Sequence, residues 1–272
     1  MVDAQILIYI FSVILLGINL FIGLYLLKRV KITGLTNIKW LYLYFFFTVI
    51  EFAFRMVYVF GRPEFGVNFI SIIYFSINLT GHVFLIFFVK YTFYVDRKSP
   101  FFYILLLAII AKIAYVLTYS ISDSLQSVQL HLISVSISSF IIFISSFWLS
   151  YAALSSYQNI KKNDISPWVK KRYLMVGISA LFLIAQIIPV LFTPYRGSFS
   201  DPIMATWVMI VTLLNIIFAL LSLIAWVMPK WLKRYLNQGY ESQEDILPSE
   251  SDDGLMEKLK SQLAKGVTDG SN

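Results

Sequence analysis

Seven stretches of this chain are apolar over the length a helix needs to cross a bilayer, at about residues 5–27, 40–60, 67–89, 101–119, 129–155, 173–193 and 203–228. Inside them the polar residues recur at helical spacing. The third run carries Asn68, Ser71, Phe75, Asn78 and His82 at intervals of three and four, which puts one polar stripe on an otherwise apolar helix. The seventh repeats the rhythm with Thr212, Asn215, Ala219 and Ser222, the fifth with Ser134, Ser138 and Ser145, and the first contributes Asn19. The pattern predicts an all-α membrane protein, a seven-transmembrane-helix bundle whose polar stripes face inward.

Composition agrees: 58% of 272 residues are hydrophobic and 14% charged, more apolar matter than one water-soluble core can bury. The net charge of +7 does not point to nucleic acid, because the basic residues sit in short connections between apolar runs. Fifteen of them fall in the first, third and fifth connections and at 230–234 directly after the seventh run, against only Arg62 and Arg196 in the alternate loops. By the positive-inside rule the N-terminus is outside and the C-terminus cytoplasmic, in an integral multi-pass protein of the cell membrane. The first run lacks a basic leader and is too long for a signal-peptide core, so it reads as a retained helix. Cysteine is absent, which excludes disulfides, thiolate metal sites and palmitoylation.

Ser99-Pro100 and Ser166-Pro167 each offer a serine N-cap followed by a first-turn proline, marking the starts of helices four and six. The chain divides into a transmembrane domain, residues 1–228, a segment at 229–240 and a tail at 241–272. In the segment, Trp231, Leu232, Tyr235 and Leu236 are expected on one face against Lys230, Lys233 and Arg234, lying along the inner leaflet. Acidic residues from Glu241 to Asp253 read as a disordered linker. Beyond it, at about 254–265, Leu255, Met256, Leu259 and Leu263 fall at helical spacing and form a candidate docking face for a cytoplasmic protein partner.

The costly residues are the charges at depth. In the second run, twelve Leu, Ile, Val and Phe side chains favour insertion by roughly 4–7 kcal/mol, which two central charges at about 2.5–3.5 kcal/mol each nearly cancel. Those charges, Glu51 and Arg55, therefore need partners on neighbouring helices. Glu51, Asn78, Lys112, Gln186 and Asn215 all lie about 11–14 residues from a cytoplasmic boundary, which defines a polar midplane layer. With Arg55 and His82 they make up the candidate ligand-binding pocket. Glu51 is expected to pair with Lys112, or with Arg55 one turn along its own helix.

Several chemistries are excluded on residue grounds. A retinal Schiff base of the microbial-rhodopsin type needs a lysine in the seventh run, which has none. A zinc hydrolase needs about three His ligands at one depth, whereas His82 and His131 stand at different depths, and no Ser–His pair is evident for nucleophilic catalysis. No cofactor and no enzymatic activity are expected.

The topology is similar to that of G-protein-coupled receptors, with local echoes in Asn19, in Glu51 of helix two, in Asp96-Arg97 after helix three and in Pro189 of helix six. The helix-four tryptophan, the Asn-Pro-x-x-Tyr pattern of helix seven and the cysteine bridge to helix three are missing, so the resemblance is one of architecture and not of family. Three functional readings follow: a receptor-like or sensory bundle signalling to a cytoplasmic partner, a small transporter or channel with a polar midplane site, and a structural subunit of a membrane complex.

Overall fold

The computed structural model describes residues 4–61, 67–95, 97–125, 127–163, 165–192 and 202–238; the side chains of Arg55, Asn68 and Ser71 and the whole tail, with Leu255, Met256, Leu259 and Leu263, lie outside that description. Among the described residues every regular element is a helix: α1 (Ala4–Thr33), α2 (Thr36–Gly61), α3 (Val67–Phe93), α4 (Phe101–Leu125), α5 (Val128–Ile160), α6 (Pro167–Ala185), α7 (Ile187–Leu191), α8 (Pro202–Val227) and α9 (Lys230–Leu236). Among the described residues six spans are long and apolar enough to cross a membrane: α1, α3, α4, α5, α6 joined to α7, and α8. The chain is thus a multi-pass helical membrane protein.

The solvent these helices are built for is visible in α1. Its buried stripe is Ile8, Ser12, Leu15, Asn19, Ile22 and Leu26, at alternating intervals of four and three, while Ile6, Ile10, Ile14, Phe21 and Leu24 lie on the exposed face. The outside is as apolar as the inside, and the polar residues are the hidden ones. A water-soluble helix shows the reverse. Helix α1 stops at Gly34, whose N–H still reaches the Val30 carbonyl at 2.9 Å and whose φ of 66° turns the chain out of the helix after that bond.

Consecutive helices pack as neighbours, and α8 returns to α1 and α6, so the bundle closes as a ring in chain order; α3 sits inward and touches α2, α4 and α5. Aromatic edges fill the interior, with Tyr44 meeting Phe218 edge-on at 6.0 Å and Trp40 stacked on Phe87 at 4.6 Å. Between α5 and α6 the backbones come close because residue 177 has no side chain. A Cβ there would lie 2.6 Å from Leu154 Cγ, and Ser150 Oγ donates to the Gly177 carbonyl at 3.0 Å.

The sixth run forms one membrane-length span with an interruption inside it: Pro189 has no N–H for the Ala185 carbonyl, and the helix breaks at Gln186 into α6 and α7. Ser166 occupies the N-cap position of α6 with proline next, but its side chain makes no capping bond; the Trp168 N–H is instead taken by Asn237 Oδ1, at 3.3 Å, from the end of α9. In α9, Leu232 and Leu236 pack on the buried cluster of Ile160, Trp168, Val169, Tyr173 and Met228, and Trp231 and Tyr235 beside them point outward, 69% and 64% exposed.

Candidate functional site

Helix α3 distributes the midplane contacts. Asn78 and His82 are four residues apart and share its inner side. Asn78 Nδ2 donates to Glu51 Oε2 on α2 at 3.1 Å, with Glu51 buried. His82, also buried, turns to α5, where its Nδ1 is 2.8 Å from Ser145 Oγ. Ser145 Oγ also lies 3.1 Å from the Ile142 carbonyl, so its proton goes to that carbonyl or to the imidazole according to which ring nitrogen carries hydrogen. The Tyr44 ring stands edge-on to His82 at 5.7 Å. A Ser–His contact therefore exists where the sequence showed none, because α3 reaches past α4 to touch α5.

The expected Glu51–Lys112 pair is not formed. Lys112 Nζ donates to Thr80 Oγ1 at 2.6 Å, and Thr80 passes its own proton to the Ser76 carbonyl at 2.7 Å. The reason is angular. Asn78, which holds Glu51, and Thr80, which holds Lys112, are two residues apart, roughly 200° around α3, so the helix stands between anion and cation.

Gln186 and Asn215 do meet. At the break between α6 and α7, Gln186 Oε1 accepts from Asn215 Nδ2 of α8, which also reaches the Val211 carbonyl at 2.9 Å. The midplane residues thus meet in pairs across neighbouring helices. A separate groove of about 430 Å³ lies between α4 and α5, lined by Ala111, Ala114, Leu132, Ile133, Ser136 and Phe140, and none of the predicted site residues lines it.

A second constellation, which sequence reasoning missed, lies where α6 begins and α8 ends. Pro229 has no N–H, so the Ala225 carbonyl loses its helical donor. Arg172 replaces it: Nε donates to the Ala225 carbonyl at 2.7 Å and Nη2 to the Trp226 carbonyl at 3.4 Å. The guanidinium carbon lies over the rings of both Trp168 and Trp226, 5.3 Å from each centroid, and Lys233 Nζ of α9 sits 4.5 Å from the Trp168 ring. A cation at a helix C-terminus also faces the negative end of the macrodipole. Arg172 is buried, not a loop charge. The signal was present: Trp168, Val169, Arg172, Tyr173 and Val176 are spaced as one buried helical stripe with an arginine inside it.

Comparison with protein-family models, with curated proteins and with solved structures finds no match to this chain.

Proposed function

We propose that the chain is a receptor-like or sensory seven-span bundle of the cell membrane that signals to a cytoplasmic partner and is not an enzyme. In this reading α2, with Glu51 at mid-depth, is the seventh span, the N-terminus is outside, and the Arg172 clamp lies at the cytoplasmic face.

The observation that carries it is the way α6 is held. It is tied to α8 at two levels, by Gln186–Asn215 at its break and by Arg172 on the Ala225 and Trp226 carbonyls at its start. A rigid segment fixed at both ends to the same neighbour transmits a change at one level to the other, and the clamp hands it on to α9 through Lys233 and Asn237. The tail and its docking face follow α9 in the chain.

Two measurements test the reading. Tags at residues 161–163 and after Asn272 should be cytoplasmic and a tag at residue 126 external; external labelling at 161–163 rejects the topology. The full chain should capture a cytoplasmic partner that Leu259→Asp loses, while proteoliposomes show no flux above empty vesicles. A transporter is the second reading, favoured by the Pro189 break beside Gln186, since interrupted helices at mid-depth form substrate sites in transporters. Measurable flux, with capture indifferent to Leu259→Asp, selects it.

A further inference from the structure

Lys112 is the twelfth residue of the 22-residue span Phe101–Ser122, about 17 Å from its start and close to the bilayer centre. Its ammonium has three protons to donate. Thr80 accepts one, and among the described residues no carboxylate lies within bonding distance of Lys112. The helix that carries it is the least covered of the six spans: 11% of its membrane window is buried, against 33–50% in the others. Beside Lys112, Leu106, Ile109, Ile113 and Leu117 form an exposed ridge at intervals of three and four, with Ile113 and Leu117 each 57% exposed. A cation at the rim of an open apolar ridge, with hydroxyl ligation only, is a poor final state in hydrocarbon.

We infer that this flank of α4 docks a second membrane-spanning helix carrying a carboxylate at mid-depth, and that Lys112 selects it. The ridge supplies the packing surface and the ammonium supplies the discrimination, because a cation at this depth with free donors is matched by an anion and not by a neutral side chain. A lipid phosphate stays at the interface, beyond the reach of a lysine stem anchored at the bilayer centre. A second copy of this chain fits no better. It would bring another Lys112 to the same face, and its own Glu51 is buried and bonded to Asn78. The partner is therefore a different helix, and the inference needs only that α4 spans the membrane.

The probes are two synthetic leucine-rich membrane-spanning peptides, identical except for one central Glu or Gln. The full chain, donor-labelled in phosphatidylcholine vesicles at about pH 8, where paired carboxylates are ionised, is titrated with each acceptor-labelled peptide. The Glu peptide should bind about tenfold more tightly than the Gln peptide, with the preference kept in Lys112→Arg and lost in Lys112→Met. Circular dichroism establishes that both variants remain folded, as a peripheral site allows. Equal binding of the two peptides by the unaltered chain, or a preference that survives Lys112→Met, overturns the inference. Energy transfer between two labelled copies of the chain that disappears in Lys112→Met also overturns it, by assigning the face to self-association.

Discussion

Glu51 and Arg172 are both buried charges, 6% and 3% exposed, yet their surroundings are built from different materials. The carboxylate is held by a side chain, the Asn78 amide, whose position depends on the register of α3 against α2. The guanidinium is held by backbone: two carbonyls at the end of α8, one of them without its helical donor because residue 229 is proline, with two indoles in cation–π contact. A side-chain partner can rotate away or be replaced by a neutral isostere. A carbonyl with no other donor cannot. The rigid contact is thus the clamp, and the adjustable ones are the midplane pairs, the distribution a bundle needs if its interior is to respond and its end is to report.

The largest expected effect tests the rigid half. Arg172→Met should cost about 3–5 kcal/mol, because it leaves the Ala225 carbonyl buried without a donor and removes the cation from its contact with two indoles. Thermal unfolding in detergent measures it. Pro229→Ala sharpens the point by restoring an N–H that can bond the same carbonyl. In that background Arg172→Met should cost clearly less, and equal costs in the two backgrounds would remove proline from the explanation.

Next comes the adjustable half. Asn78→Leu takes a donor from a buried carboxylate and should destabilise by about 1.5–3 kcal/mol, whereas Glu51→Gln keeps an acceptor for Asn78 and should cost less than about 1 kcal/mol. If Glu51→Gln proves the costlier of the two, the carboxylate is held chiefly by something other than Asn78. Ser145→Ala should cost about 1 kcal/mol, since the buried His82 ring loses its partner at Nδ1. A shift of the His82 ring signals in nuclear magnetic resonance, with little change elsewhere, checks that the loss is local.

How much of this was legible in the chain depends on whether a contact is local. The stripe on α3 is readable because Asn78 and His82 are spaced for one face, and the Gln186–Asn215 meeting because both lie at similar depth on helices that follow one another. The His82–Ser145 contact is not readable from order alone, since it depends on α3 lying inward of α4. The Asn237 cap on α6 joins residues 69 apart through the docking of α9, which no local pattern announces. Arg172 is hidden by its company: with Lys170 and Lys171 it looks like a loop charge, and only the spacing of Trp168, Val169, Tyr173 and Val176 places it inside. The seven apolar runs, in contrast, follow from hydropathy, and the structure bears out six of them as spans of sufficient length and apolarity.

The smallest expected effect is a coupling near zero between Glu51 and Lys112. Matching depth makes the two look like an ion pair, but depth is one coordinate of three. Asn78 and Thr80 project from opposite sides of α3, and each side holds one of the charges. An intervening helix with its side chains is about 10 Å across, too wide for a direct contact and wide enough for neighbouring polar groups to weaken what attraction remains. Glu51→Gln and Lys112→Met, made singly and together, should therefore give unfolding free energies that add within about 0.5 kcal/mol. A cycle that fails to close by about 1 kcal/mol or more would mean that the two groups meet in some populated arrangement of α2, α3 and α4. The docking face assigned to Lys112 would then be occupied from within, so this cycle and the peptide titration must agree: a preference for the Glu peptide is expected only in a chain whose own carboxylate does not reach the lysine.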